Sequence, residues 1–235
     1  DKVILSQFPA GYIIEGNDRI LLEGHKDYTH LPTRQVLKFF RNGVWSAERK
    51  LIESGVPEES ETVLAGLIFA PGSIVSEVPY DPEISFFGEE LCYAIRAWTR
   101  GWKIYSPAKM TLRHFYTRPS YHKIWDTRNN NDNKWEGLER KSRGRQRRIY
   151  LGEDLGIWGV ASKESMKEYE AWVNQPVGEN YAAYVDNYDA VANQSLVVDL
   201  DALWAEGKEI KKSLVCTEDL HTVCTVSGCQ CTCHG

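Results

Sequence analysis

A chain of 235 residues, 42% hydrophobic and 26% charged, suits one large domain or a domain with an appendage. Its net charge of −5 disfavours a nucleic-acid coat. No apolar run approaches the roughly 20 residues that cross a bilayer, and the opening "DKVILSQFPAGY" lacks the basic and apolar regions of a signal peptide, so a cytoplasmic location is expected. The first residue is Asp1, not methionine, and the chain therefore reads as a fragment or a processed product.

The first predicted element is a buried strand, with Val3, Ile4 and Leu5 as its apolar run and Pro9-Ala10-Gly11 as its stop. "DRILLEG", Asp18 to Gly24, predicts a second short strand. Pro32 to Val44 shows no decisive period, and the Gly- and Pro-punctuated stretch from there to Glu61 reads mostly as loop. "TVLAGLIFAPG", Thr62 to Gly72, has the β-branched and aromatic content of a strand, but Ala65-Gly66 interrupts it. Two such small residues fit a bulge or a tight contact between elements, and equally a place where a ligand approaches the backbone.

"YDPEISFFGEE", Tyr80 to Glu90, leads into a predicted helix. Leu91, Ile95 and Trp98 form its apolar stripe, Glu89, Tyr93, Arg96 and Arg100 lie on another face, and Gly101 is the expected C-cap. A strand follows, on which Met110, Leu112, His114 and Tyr116 share one face before Pro119 closes it. Tyr121 to Gln146 is polar, with Trp125 and Trp135 as isolated anchors. The basic run Arg140 to Arg148, "RKSRGRQRR", reads as a solvated face sooner than as a phosphate contact. "SKESMKEYEAWV", Ser162 to Val173, predicts a helix capped by Ser162 or Ser165. Beyond Asn174, "QPVGEN" reads as a linker, dividing the chain into 1–174 and an extension 175–235 in which Asp201 to Lys212 forms another helix.

Five of the six cysteines fall in the last twenty residues. Cys224, Cys229, Cys231 and Cys233, with His221 and His234, offer more than the four ligands of a structural Zn²⁺ site, although the spacing C-x4-C-x-C-x-C is not a standard knuckle. Free or disulfide-paired thiols are the alternative.

Glu89 and Glu90 carry the functional question. Acidic residues in the first turn of a helix are favoured by the macrodipole, by about 0.3–1 kcal/mol each, whatever else they do. The preceding Phe86-Phe87-Gly88 would press them against aromatic surface, which desolvates carboxylates and raises their pKa, as happens in a site.

The segment from Tyr80 to Arg118 closely resembles the signature of the GlcNAc-transferase-type glycosyltransferases. Tyr80-Asp81-Pro82, Gly88-Glu89-Glu90, Arg96-Ala97-Trp98-Thr99-Arg100-Gly101 and His114-Phe115-Tyr116 follow the family's pattern in order. "VILSQFPAGY", "LAGLIFAPG" and "RRIYLGEDLGIWGVASKESMKEYEAWV" extend the resemblance to about three quarters of the chain. The resemblance implies an α/β fold, the C-terminal part of a GT-A, Rossmann-like domain, here with a small C-terminal extension. The acidic metal motif of the family belongs to a segment upstream of Val3, and Asp199-Leu200-Asp201, which has the right letters, is more simply a helix cap.

As activity it implies transfer of a sugar, GlcNAc, from a UDP-sugar to a protein or other hydroxyl acceptor, with retention and with Mn²⁺ or Mg²⁺. Glu89 and Glu90 take the catalytic place, and His114 is the candidate ligand of the divalent ion. Ala65, Gly66, Arg96, Trp98 and Arg145 are the donor-binding candidates, although Arg96 and Trp98 also suit scaffold roles, pairing with an acid and filling core. Two rival readings stand beside this one: a non-catalytic binding module on a degenerate transferase fold, and a transferase that modifies nucleic acid through its basic run.

Overall fold

The structure is a computed structural model, and it describes residues 1–15, 18–21, 31–39, 45–85, 88–115 and 134–193. Nine strands and five α-helices are found among them. A four-stranded sheet is built from β1 (Val3–Ser6), β6 (Glu58–Glu59), β7 (Ile68–Phe69) and β8 (Lys103–Ser106), in the order β6-β8-β1-β7. β1 and β8 are parallel, with Val3, Ile4 and Leu5 opposite Lys103, Ile104 and Tyr105, and the outer strands run antiparallel to them. β2 (Ala10–Glu15) lies between β3 (Asp18–Leu21) and β9 (Arg113–His114), while β4 (Thr33–Phe39) and β5 (Trp45–Leu51) form a hairpin.

The helices are α1 (Ile74–Glu77), α2 (Glu89–Trp98), α3 (Lys134–Tyr150), α4 (Lys163–Val173) and α5 (Val177–Asn193). One core cluster joins Ile4, Val63 and Ile104 of the sheet side to Tyr93, Ala94 and Ala97 of α2. A second joins Leu91, Cys92 and Ile95, from the other side of α2, to Ile149 and Tyr150 of α3, Met166, Tyr169 and Val173 of α4, and Val177, Tyr181 and Val185 of α5. α2 is therefore enclosed on both sides, and every residue from Leu91 to Ala97 is buried. The amphipathic helix expected from the Leu91, Ile95, Trp98 stripe is a central one, in which Tyr93 and Arg96 are interior as well. It ends at Thr99, and Gly101, at φ +82°, takes the left-handed position beyond the cap. There Trp102 N–H reaches Ala97 O at 3.1 Å.

Several expectations change. The stretch read as ambiguous and then as loop contains β4, β5 and β6. The inward positions of β4 are Thr33, Gln35 and Leu37, two of them polar, so the alternation is structural without being hydrophobic. The polar segment before Gln146 enters α3, whose buried positions include Ser142 and Gln146. Of the strand expected around Met110 to Tyr116, Arg113–His114 is regular. Val177, Tyr181 and Val185 pack α5 into the core, so that "QPVGEN" opens a helix and is no linker, and the first compact unit runs from Asp1 to Asp189. α4 has Ser162 as its N-cap, and Ser162 and Ser165 form a reciprocal capping box.

Candidate functional site

In open α/β sheets ligands bind beyond the carboxyl ends of the parallel strands. Here β1 and β8 end together at Ser6 and Ser106, both fully buried. Ser6 Oγ accepts from Leu64 N at 2.7 Å and donates to Leu64 O at 3.2 Å, fixing the start of the turn from Leu64 to Leu67. Gln7, also fully buried, places its amide across the neighbouring loop. Its Nε2 donates to Lys109 O at 2.9 Å, and its Oε1 accepts from Thr111 N at 2.9 Å and Thr111 Oγ1 at 3.0 Å. That single side chain sets the path into β9, where His114 stands opposite Gly11 of β2. Sequence reading passed over Gln7; its only signal was an amide at the end of an apolar strand.

The short turn from α2 into β8 brings the start of α2 back to this same edge. Gly88 caps it at φ +85°, and a Cβ there would overlap the Gln146 side chain of α3. Glu90 Oε1 then accepts from Ala65 N at 2.6 Å. The interruption Ala65-Gly66 thus has two explanations in the fold: Ala65 offers its N–H to Glu90, and a Cβ on Gly66 would come within 2.5 Å of the Pro9 ring.

Both carboxyls titrate high. Burial, reinforced by the charge of Glu90 and opposed by its own backbone N–H, pushes Glu89 up to about 7. Burial also raises Glu90, against the lowering effect of the bond from Ala65. Glu89 Oε2 is buried with no hydrogen-bond partner among the described residues. The ring of Tyr80 lies against Tyr93, one turn along from the pair, with centroids 4.9 Å apart. Its phenol is pushed up to about 12 by burial and then by the charges of Glu89 and Glu90, so it stays protonated at neutral pH. Phe86 and Phe87, expected to desolvate the pair, lie outside the described residues.

A carboxyl raised by folding binds its proton more tightly in the native than in the unfolded state. Its contribution to stability therefore falls as pH rises from the unfolded value near 4.5 through about 7. Glu89→Gln is expected to leave stability nearly unchanged at pH 5, and to increase it above pH 8, by about 1–2 kcal/mol once solvent screening of this partly exposed group is allowed for, with a higher melting temperature there. Thermal melts of both proteins at the two pH values measure it; an unchanged difference would mean that the Glu89 carboxyl is not strained.

The other candidates are held differently. Arg96 is 1% exposed, and its Nη2 donates to Pro79 O at 2.8 Å and Ile157 O at 2.9 Å; it meets backbone carbonyls where an acid was expected. Trp98 stacks on Trp172 and meets Tyr169 edge-on, at 5.4 Å in each case. It lies nine residues beyond Glu89, roughly 13 Å along the helix axis. Neither converges on the carboxylate pair. Arg145 is committed to Asp81, with Nε to Oδ2 at 2.8 Å, and the basic run is further engaged through Arg143 on Tyr184 and Arg148 on Glu153. Ser142, three residues before Arg145, accepts from Ser85 N at 2.9 Å, so that α3 clamps the loop from Tyr80 to Ser85 at both ends.

Among the described residues, no three His, Cys, Asp or Glu side chains gather as metal ligands. His114 is a single imidazole at the end of β9, and the described residues do not by themselves make a divalent-ion site. Tyr116, Trp125, Asp199, Asp201, the helix expected from Asp201 to Lys212, His221, Cys224, Cys229, Cys231, Cys233 and His234 lie outside the described residues, as does the side chain of Trp135. No helix among the described residues is long and apolar enough to cross a membrane.

A mixed α/β framework presenting adjacent half-buried carboxylates at the ends of parallel strands has the form of a ligand-binding enzyme domain. The family model described as "Glycosyltransferase (GlcNAc)" matches residues 1–194, and the chain belongs to that family. Among solved structures it is similar to GalNAc-T7, crystallised with UDP, GalNAc and Mn²⁺, at 16% identity and a TM-score of 0.38. That match covers 83% of this chain and 37% of the other. No curated protein sequence matches the chain.

Proposed function

We propose that this chain is the C-terminal part of a GT-A glycosyltransferase domain that moves GlcNAc from UDP-GlcNAc to a hydroxyl of a protein or other acceptor with retention. The observation that carries the reading is the Glu89–Glu90 pair, within a chain of this family. One carboxylate secures the Ala65 turn and the other keeps a buried oxygen without a partner among the described residues. Such an oxygen is costly unless a donor reaches it, and a sugar hydroxyl is a suitable donor.

Transfer requires a glycosidic bond to break, with negative charge growing on the diphosphate and positive charge on the anomeric carbon. The two carboxylates orient the sugar and stabilise the positive end, which is electrostatic work done by groups already in place. The acceptor proton passes to the departing phosphate on the same face. A divalent ion, with His114 as one ligand, would neutralise the diphosphate. The described residues supply only part of such a site.

The test is UDP release from UDP-GlcNAc by the full-length protein, with Mn²⁺ and after chelation. Metal-dependent release that is lost in Glu90→Gln and in His114→Ala is the expected result. No release and no UDP binding would place the non-catalytic binding module first.

A further inference from the structure

Tyr80 is 49% exposed, yet the residues on either side of it are anchored. The carbonyl before it, Pro79 O, accepts from the buried Arg96. The residue after it, Asp81, is 6% exposed, paired with Arg145 and capped onto Glu83 N at 3.0 Å. One face of its ring is covered by Tyr93, at an interplanar angle of 27°. Tyr93 is buried in α2, four residues beyond Glu89, so the ring lies one helical turn from the carboxylate pair.

Anchoring the backbone on both sides of an aromatic residue, backing one face of its ring and leaving the residue half open has no use for the core, which gains little from an exposed face. It does suit a ligand. A pyranose carries an apolar C–H face and a rim of hydroxyls, and the surface that fits it is an aromatic plane beside hydrogen-bond acceptors. We propose that the open side of Tyr80 is the platform for the pyranose ring whose hydroxyls reach Glu89 and Glu90. This inference rests on the sugar-transfer reading of the same site and adds a specificity-determining contact to it. The ring does the work, and the hydroxyl is dispensable.

The experiment uses the full-length protein, with UDP and UDP-GlcNAc as probes. Tyr80→Ala is expected to raise the KM for UDP-GlcNAc about five- to tenfold while the affinity for UDP alone stays unchanged, and Tyr80→Phe to behave like wild type. Normal UDP binding with an unchanged KM in Tyr80→Ala would overturn the platform and leave the transferase reading standing. A wild-type protein that binds neither probe would overturn both. Should Tyr80→Ala fail to fold, saturation-transfer NMR decides the matter on protein with deuterated Phe and Trp. Irradiating tyrosine ring protons is expected to saturate the pyranose C–H protons, and Tyr80→Phe to abolish the transfer; no transfer in wild type would overturn the platform.

Discussion

Replacing Glu90 with glutamine is expected to lower kcat/KM for UDP-sugar turnover about 10²- to 10³-fold with little change in melting temperature. The reason lies in what the substitution keeps. Glutamine retains an oxygen at the position that accepts from Ala65 N, so the turn from Leu64 to Leu67 stays tied to α2. It loses the negative charge, which burial disfavours and the bond from Ala65 supports. Glu90→Ala removes bond and charge together, and is expected to cost about 0.5–1.5 kcal/mol of stability as well, since the exposed Ala65 N exchanges its acceptor for water. Steady-state kinetics and thermal melts on the two variants separate the roles. Equal loss of activity without loss of stability in both would mean that the bond to Ala65 is incidental.

The largest stability effect is expected at Arg145. Its side chain is 11% exposed and that of its partner Asp81 is 2% exposed, so Arg145→Ala leaves a carboxylate buried without its cation. Such a loss costs about 3–5 kcal/mol, which for a protein of this size lowers the melting temperature by about 6–20 °C. Removing Asp81 as well should restore part of it, because the penalty comes from the orphaned charge more than from the missing pair. Differential scanning calorimetry of the single and double variants measures both. A double variant no more stable than Arg145→Ala would show that the arginine acts through packing.

The parts of this fold that were legible in the sequence share one property: their signal is local. Ser162 with Ser165 announces the start of α4, Val3 to Leu5 announces β1, and Gly101 marks the end of α2, because caps and apolar runs act over a few residues. β4 and α3 are not legible because their inward positions include the polar Thr33, Gln35, Ser142 and Gln146, of which Ser142 and Gln146 meet partners far along the chain, Ser85 and Tyr181. The candidate site divides in the same way. The adjacent Glu89 and Glu90 are visible as a motif, as is the small pair Ala65-Gly66. That Ala65 N meets Glu90, that Arg145 meets Asp81, and that Gln7 governs the approach to His114 are contacts between residues 25 to 104 positions apart, which no spacing rule encodes.

The pairing of β1 with β8 has a consequence for how the protein is made. Leu5 and Tyr105 are register partners separated by a hundred residues of chain, and the Gln7 amide waits for a loop equally distant. At a synthesis rate of about 5–20 residues per second, β1 leaves the ribosome roughly 5–20 seconds before its parallel neighbour exists. Until then the strand is apolar and unpaired on that side, and the edge on which Glu90 and Ala65 meet cannot close. Topology of this kind is slow to fold, so chaperone supply is expected to limit the yield of active protein before intrinsic stability does.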